Sequence, residues 1–204
     1  GKDLIGIPLQ VRMISEIYEE NSKVVKSMNF YKIYDAFTKK HKEIHLGKGK
    51  LSHEELSEND LQSPTYVHQQ LALKNIFGSK THNFEYDNEE WSGEKISRMG
   101  LIYFNDENVQ FLHTTVAEFF VAQFIFLKMK RRQDPQTISD LLVKVLLSGE
   151  YEVVRLFLTS AMENFKVDKD YFEKVMSEIF LAQKKENEKP QTPNLIMMAT
   201  KCEN

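Results

Sequence analysis

The stretch GLIYFNDENVQFLHTTVAEFFVAQFIFLKMK, Gly100 to Lys130, decides the fold, because it joins the chain's clearest β signal to its most apolar helix pattern. "GLIYF" and "VQFLH" are rich in β-branched and aromatic residues, and "NDEN" between them is a turn-rich loop. A two-stranded hairpin from Met99 to His113 is therefore predicted. Thr115 followed by Glu118 has the S/T-x-x-E form of a capping box, which predicts a helix from Val116 to Lys130. That helix is apolar on nearly every side and so belongs in the centre of a core. It ends in "KMKRR", Lys128 to Arg132, where positive charge suits a helix C-terminus. His113 sits at the joint between strand and helix.

Working outward, the segments before and after this stretch read as helices. Pro8 suits the first position of a helix to Glu20, with Val11, Ile14 and Tyr18 as its apolar stripe, flanked by Met13 and Ile17. Asn29 caps a helix from Phe30 to Ile44 whose apolar face is Phe30, Ile33, Tyr34, Phe37 and Ile44. Ser63 and Pro64 start a third helix, which runs to Phe77 and closes on Gly78. The polar stretches 46–62 and 79–95 read as long loops. Beyond Pro135 the pattern is purely helical, with one stripe of Ile138, Leu141, Leu142, Val145 and Leu146, closed at Ser148-Gly149. Val153, Val154, Phe157, Leu158 and Ala161 form the next stripe. Phe172, Val175, Met176, Ile179 and Phe180 form the last, behind a cap at Asp168. The charged, proline-bearing tail from Lys184 reads as disordered. These signals predict a mainly α protein: a winged-helix module with a small β-hairpin, followed by a helical bundle.

The chain has 204 residues, 41% hydrophobic and 28% charged, which is enough to bury a sizeable core and too apolar for a disordered chain. A net charge of −3 supplies no global attraction to nucleic acid or acidic membranes. One cysteine, Cys202, excludes an intramolecular disulfide and a cysteine-based zinc cluster, and it favours a reducing, cytoplasmic setting. The opening "GKDLIGIPLQ" lacks the apolar core of a signal peptide, and the run from Val116 to Leu127 is too short to span a bilayer. The absence of a starting methionine suggests a fragment or a processed chain.

No complete catalytic constellation appears. "FGSKT", Phe77 to Thr81, and "GKGK", Gly47 to Lys50, both lack the glycine spacing and adjacent Gly-Lys of a phosphate-binding loop. His41 and His45 share a helix face at i, i+4, but no third ligand is fixed by local spacing, so no metal site is assigned. The helix from Pro64 offers His68, Gln69, Gln70 and Lys74 to a DNA groove, a weak set beside an acidic loop. His113 is different. The ordinary reading of a lone histidine beside a core strand is a satisfied structural residue. Its place just before a helix, however, puts it where N–H groups and the helix dipole favour anions. An imidazole there can donate to a phosphate oxygen.

The segments "GIPLQVRMISEIYEE", "NFYKIYDAFTKKHKEI", "VHQQLALKNIF", "EKISRMGLIYF" and "VQFLHTTVAEFFVAQF" arrive in an order that resembles the C-terminal part of a NACHT-type STAND NTPase, similar to arthropod NACHT/ankyrin-repeat proteins. The resemblance covers roughly residues 4–127. It implies four regions: 1–28 as the end of helical domain one, 29–132 as a winged-helix domain, 133–183 as the start of helical domain two, and 184–204 as a disordered tail. In such proteins a G-x-P segment packs its proline on adenine, and a histidine after two hydrophobic residues bonds the β-phosphate of ADP. Gly6, Pro8 and His113 occupy the matching positions, with Glu118 and Phe119 filling the acidic-aromatic pair that follows. The resemblance thus implies a regulatory lid of an ADP/ATP signalling switch, in innate immunity or stress response. Its partner would be an NTPase core of the same protein, and its helical region offers room for protein partners. Nucleic acid and membranes are not expected as partners. The Walker A and B motifs are absent from this sequence, so neither catalysis nor nucleotide binding is expected of this chain alone. The alternative is a winged-helix protein- or nucleic-acid-interaction module with no nucleotide role.

Overall fold

The computed structural model describes residues 8–20, 28–45, 63–78, 96–97, 99–105, 108–163 and most of the helical residues between 170 and 181. Gly6, the polar stretches 46–62 and 79–95, the Asp168 cap and the tail from Lys184 lie outside the described residues. The chain is mainly helical with one small antiparallel sheet. In order it forms α1 (Pro8–Glu20), α2 (Phe30–His45), α3 (Pro64–Phe77), β1 (Ile102–Asn105), β2 (Asn108–Phe111), α4 (Thr114–Lys130), α5 (Pro135–Leu147) and α6 (Glu152–Met162). A short 3-10 turn, Gly149–Tyr151, joins α5 to α6.

Helix α4 is the axis of the core. Thirteen of its seventeen residues are buried, as its nearly uniform apolarity requires. It packs against α3 on one side and α6 on another, while α2 crosses nearby. An aromatic cluster fills the junction. Phe119 of α4 lies with its ring centroid 5.3 Å from Tyr31, 5.7 Å from Tyr34 and 5.5 Å from Phe157. Phe30 stacks on Phe157 at 4.2 Å, which draws α6 onto the start of α2. Polar bonds fix the same junction, with Asn29 Nδ2 donating to the Ser160 carbonyl at 2.7 Å and the Tyr31 N–H donating to Ser160 Oγ at 3.1 Å. One continuous core therefore runs from Met13 to Ile179.

Local chemistry sets most helix ends where the sequence places them. Ser63 accepts from the Tyr66 N–H at 3.2 Å, and Gly78, at φ 78°, returns its N–H to the Lys74 carbonyl. Asn29 Oδ1 accepts from the Lys32 N–H at 3.0 Å. Helix α4 ends in a Schellman arrangement, with the Arg132 N–H on the Met129 carbonyl and the Gln133 N–H on the Lys128 carbonyl. Arg132 takes the left-handed position there, at φ 56°, where glycine is usual. Arg155 reaches back to the Val145 and Ser148 carbonyls, which satisfies the end of α5.

Three readings of apolar faces are corrected. Val11, Ile44 and Leu146 are about half exposed, at 50%, 49% and 48%. In α1 the buried face is Met13 and Ile17, one helical turn apart, because that is the side turned to α2. In α2, Tyr31, Tyr34, Phe37 and Thr38 face inward, since this helix is covered from two directions by α4 and α6. The hairpin pairs Ile102 with Phe111 and Tyr103 with Gln110. Ile102 and Phe111 are buried on one face while Tyr103 is exposed on the other, as the strand period demands. The strands extend into "NDEN", since Asn105 pairs with Asn108.

Candidate functional site at the N-terminus of helix α4

β2 delivers the chain to His113, which lies in an extended conformation (φ −154°, ψ 145°) as the N-cap of α4. The capping box expected at Thr115 and Glu118 does not start this helix, which begins two residues before the expected Val116, at Thr114. The ring of His113 replaces it: Nδ1 accepts from the Thr115 N–H at 3.2 Å and lies 2.9 Å from Thr115 Oγ1. Thr115 lies inside the first turn, and its hydroxyl serves a tertiary contact instead. Tyr34, fully buried on α2, bonds Thr115 Oγ1 at 3.0 Å.

This geometry assigns the tautomer. A backbone N–H can only donate, so Nδ1 must present its lone pair to Thr115. The hydroxyl chain closes consistently when Tyr34 O–H donates to Thr115 Oγ1 and the Thr115 O–H donates to His113 Nδ1. The neutral ring then carries its proton on Nε2. No described residue supplies a hydrogen-bond partner to Nε2, and the residue is half-buried rather than enclosed. The result is a rigidly held N–H donor at the positive end of a seventeen-residue helix. Such a donor suits an anionic oxygen. One turn further on, burial pushes the Glu118 carboxyl above its ordinary value.

Of the other nucleotide-contact positions, Pro8 opens α1, its side chain is not described, and Gly6 precedes the described residues. Helix α2 links the two regions: Tyr34 holds the His113 cap, and two turns later Lys40 Nζ donates to the Glu16 carbonyl of α1 at 2.8 Å.

The other candidates find structural uses. His68, Gln69 and Gln70, which α3 could have offered to DNA, are 0%, 4% and 9% exposed and face the core. Gln69 donates to Gln123 of α4 at 2.9 Å, and Gln123 in turn donates to Asp35 of α2 at 3.4 Å. In the sequence Gln123 stands out only as an interruption of the apolar run from Val116 to Leu127. A buried glutamine in such a run is itself the signal of a polar partner across the core. Beside this chain lies a cavity of about 140 Å³ between α2, α3 and α4, lined by Asp35, Lys42, Thr65, Phe120 and Gln123 among others. Lys42 is 7% exposed and donates to Thr65 Oγ1 at 3.3 Å. Among the described residues no three His, Cys, Asp or Glu side chains converge on a metal position, and His41 bonds the Met99 carbonyl instead. No described helix is long and apolar enough to cross a membrane.

No family model, no curated protein and no solved structure matches this chain.

Proposed function

We propose that this chain is the regulatory lid and transducer of a nucleotide-dependent STAND-type switch, with His113 donating from Nε2 to the β-phosphate of ADP. In this reading residues 29–132 form a winged-helix module and 133–183 begin the second helical domain. The module closes on an NTPase core of the NACHT kind, in a cytoplasmic pathway of immunity or stress signalling. Pro8 is the adenine shelf and Gly6 lets the backbone approach it. The chain itself carries out no chemistry, because holding magnesium and aiming a water at the γ-phosphate both need Walker residues that this sequence lacks. The observation that carries the reading is the His113 tautomer: Thr115 occupies Nδ1, and the N–H on Nε2 has no partner among the described residues.

A latch of this kind works only through contacts that differ between two states. In the closed state the imidazole adds a hydrogen bond to a charged oxygen, and in the open state it returns to water. Such a bond is worth roughly 1.5–3 kcal/mol. In a protein carrying both this chain and its NTPase core, His113→Ala is therefore expected to speed ADP release roughly ten-fold or more. Unchanged ADP dissociation in that protein would overturn the assignment. The second reading, a protein-interaction module without nucleotide, is favoured by Leu146, Leu147 and Leu156, exposed at 48%, 61% and 41% on α5 and α6. An upstream reading frame that encodes Walker A and B motifs decides for the switch, and one that encodes neither decides for the interaction module.

A further inference from the structure

The geometry points to His41 as a proton-operated latch, which ties α1 to the turn before the hairpin when its ring is doubly protonated and loosens α1 when the ring is neutral. Three elements meet at this side chain, which is only 13% exposed. It projects from α2 beside Phe37, whose ring centroid is 4.2 Å away. Nδ1 lies 3.0 Å from the Met99 carbonyl, and Nε2 lies 3.5 Å from Glu16 Oε2 on α1. Both ring nitrogens thus face oxygens that can only accept. A neutral imidazole has a single N–H, so one of these contacts must then set a lone pair against a lone pair. Imidazolium satisfies both at once.

The partner stays charged over the range in which a histidine titrates. Burial pushes the Glu16 carboxyl up, but the Arg12 guanidinium at 2.8 Å and the His41 ring more than offset this and hold it below its usual value. Its contribution is therefore present above the ordinary carboxylate range and is lost only as pH falls through that lowered value. The charged groups around it among the described residues include Glu16 and Arg12 on α1, and Lys40 on α2, whose Nζ bonds the Glu16 carbonyl at 2.8 Å. The turn before β1 presents the Met99 backbone carbonyl. Among its described residues helix α1 buries Met13 and Ile17 and packs Leu9 against the core, and the His41 contacts add a polar clamp on the side turned to α2.

Amide hydrogen exchange on the full chain tests this, with protection of α1 measured at pH 5.5 and pH 8 after correction for intrinsic exchange and referenced to α4. The expected result is roughly five-fold stronger protection of α1 at the lower pH, the scale of a partly buried ion pair. Glu16→Gln and His41→Gln should each abolish the difference while α4 stays protected. Arg12→Gln, which removes the neighbouring cation and leaves both ring contacts in place, should retain it. A wild-type α1 indifferent to pH, or a pH response that survives Glu16→Gln or disappears in Arg12→Gln, overturns the proposal.

Discussion

At the N-terminus of α4, the half-buried His113 accepts through Nδ1 and leaves Nε2–H with no partner among the described residues. On the inner face of α3, His68 does the reverse: Nδ1–H donates to the Pro64 carbonyl at 2.7 Å, and Nε2 is buried without a partner. The two rings are in opposite tautomers because their neighbours differ in kind. A carbonyl forces a proton onto Nδ1, whereas a backbone N–H forces it off. Desolvation, which outweighs the Pro64 bond, lowers the His68 pKa to about 4, and the ring stays neutral in the core beside Phe120. A histidine available to an outside ligand is thus distinguished by which nitrogen the fold has already used and which it has left facing out.

The largest expected effect undermines both regions together. Phe119 packs on Tyr34, which holds the His113 cap, and on Phe120, which lies against His68. Phe119→Ala should cost about 4 kcal/mol of stability in denaturant unfolding, by lost transfer energy and the cavity left behind. The next effect separates them. His68 is neutral when folded and becomes charged on unfolding, so its folded pKa lies below its unfolded one. The stability it supports is then complete above pH 6.5 and is lost as pH falls towards 4. This amounts to about 3 kcal/mol across that window, read as an acid limb in urea midpoints. The limb should flatten in His68→Leu and persist in His113→Asn. A smaller effect sharpens the His113 side alone. Thr115→Val removes the hydroxyl that Tyr34 and Nδ1 share and leaves Nδ1 only the backbone N–H of residue 115, and should cost about 1–2 kcal/mol while His68 is untouched.

Local chemistry made much of this fold legible in the sequence. Ser63, Pro64 and Gly78 bracket α3 because caps act through the nearest few residues, and α4 announced its centrality by being apolar all round. Faces were harder. Val11 and Ile44 fit helical stripes yet stand half exposed, since the partner helix, invisible to periodicity, chooses which side is covered. The candidate site was half legible. The position of His113 between strand and helix marked it, but its role as the cap depends on Tyr34, which reaches Thr115 from 81 residues away. Gln123 and the link from Asn29 to Ser160 were hidden for the same reason: each polar partner lies far along the chain.

The central claim is that the fold itself fixes His113 with its proton on Nε2. Long-range ¹⁵N–¹H correlation of the ring at a pH where the imidazole is neutral reads this directly. The expected spectrum shows an unprotonated Nδ1 and a protonated Nε2 for His113, with the opposite pattern for His68. A His113 ring protonated on Nδ1, or one averaging freely between tautomers, would contradict the account.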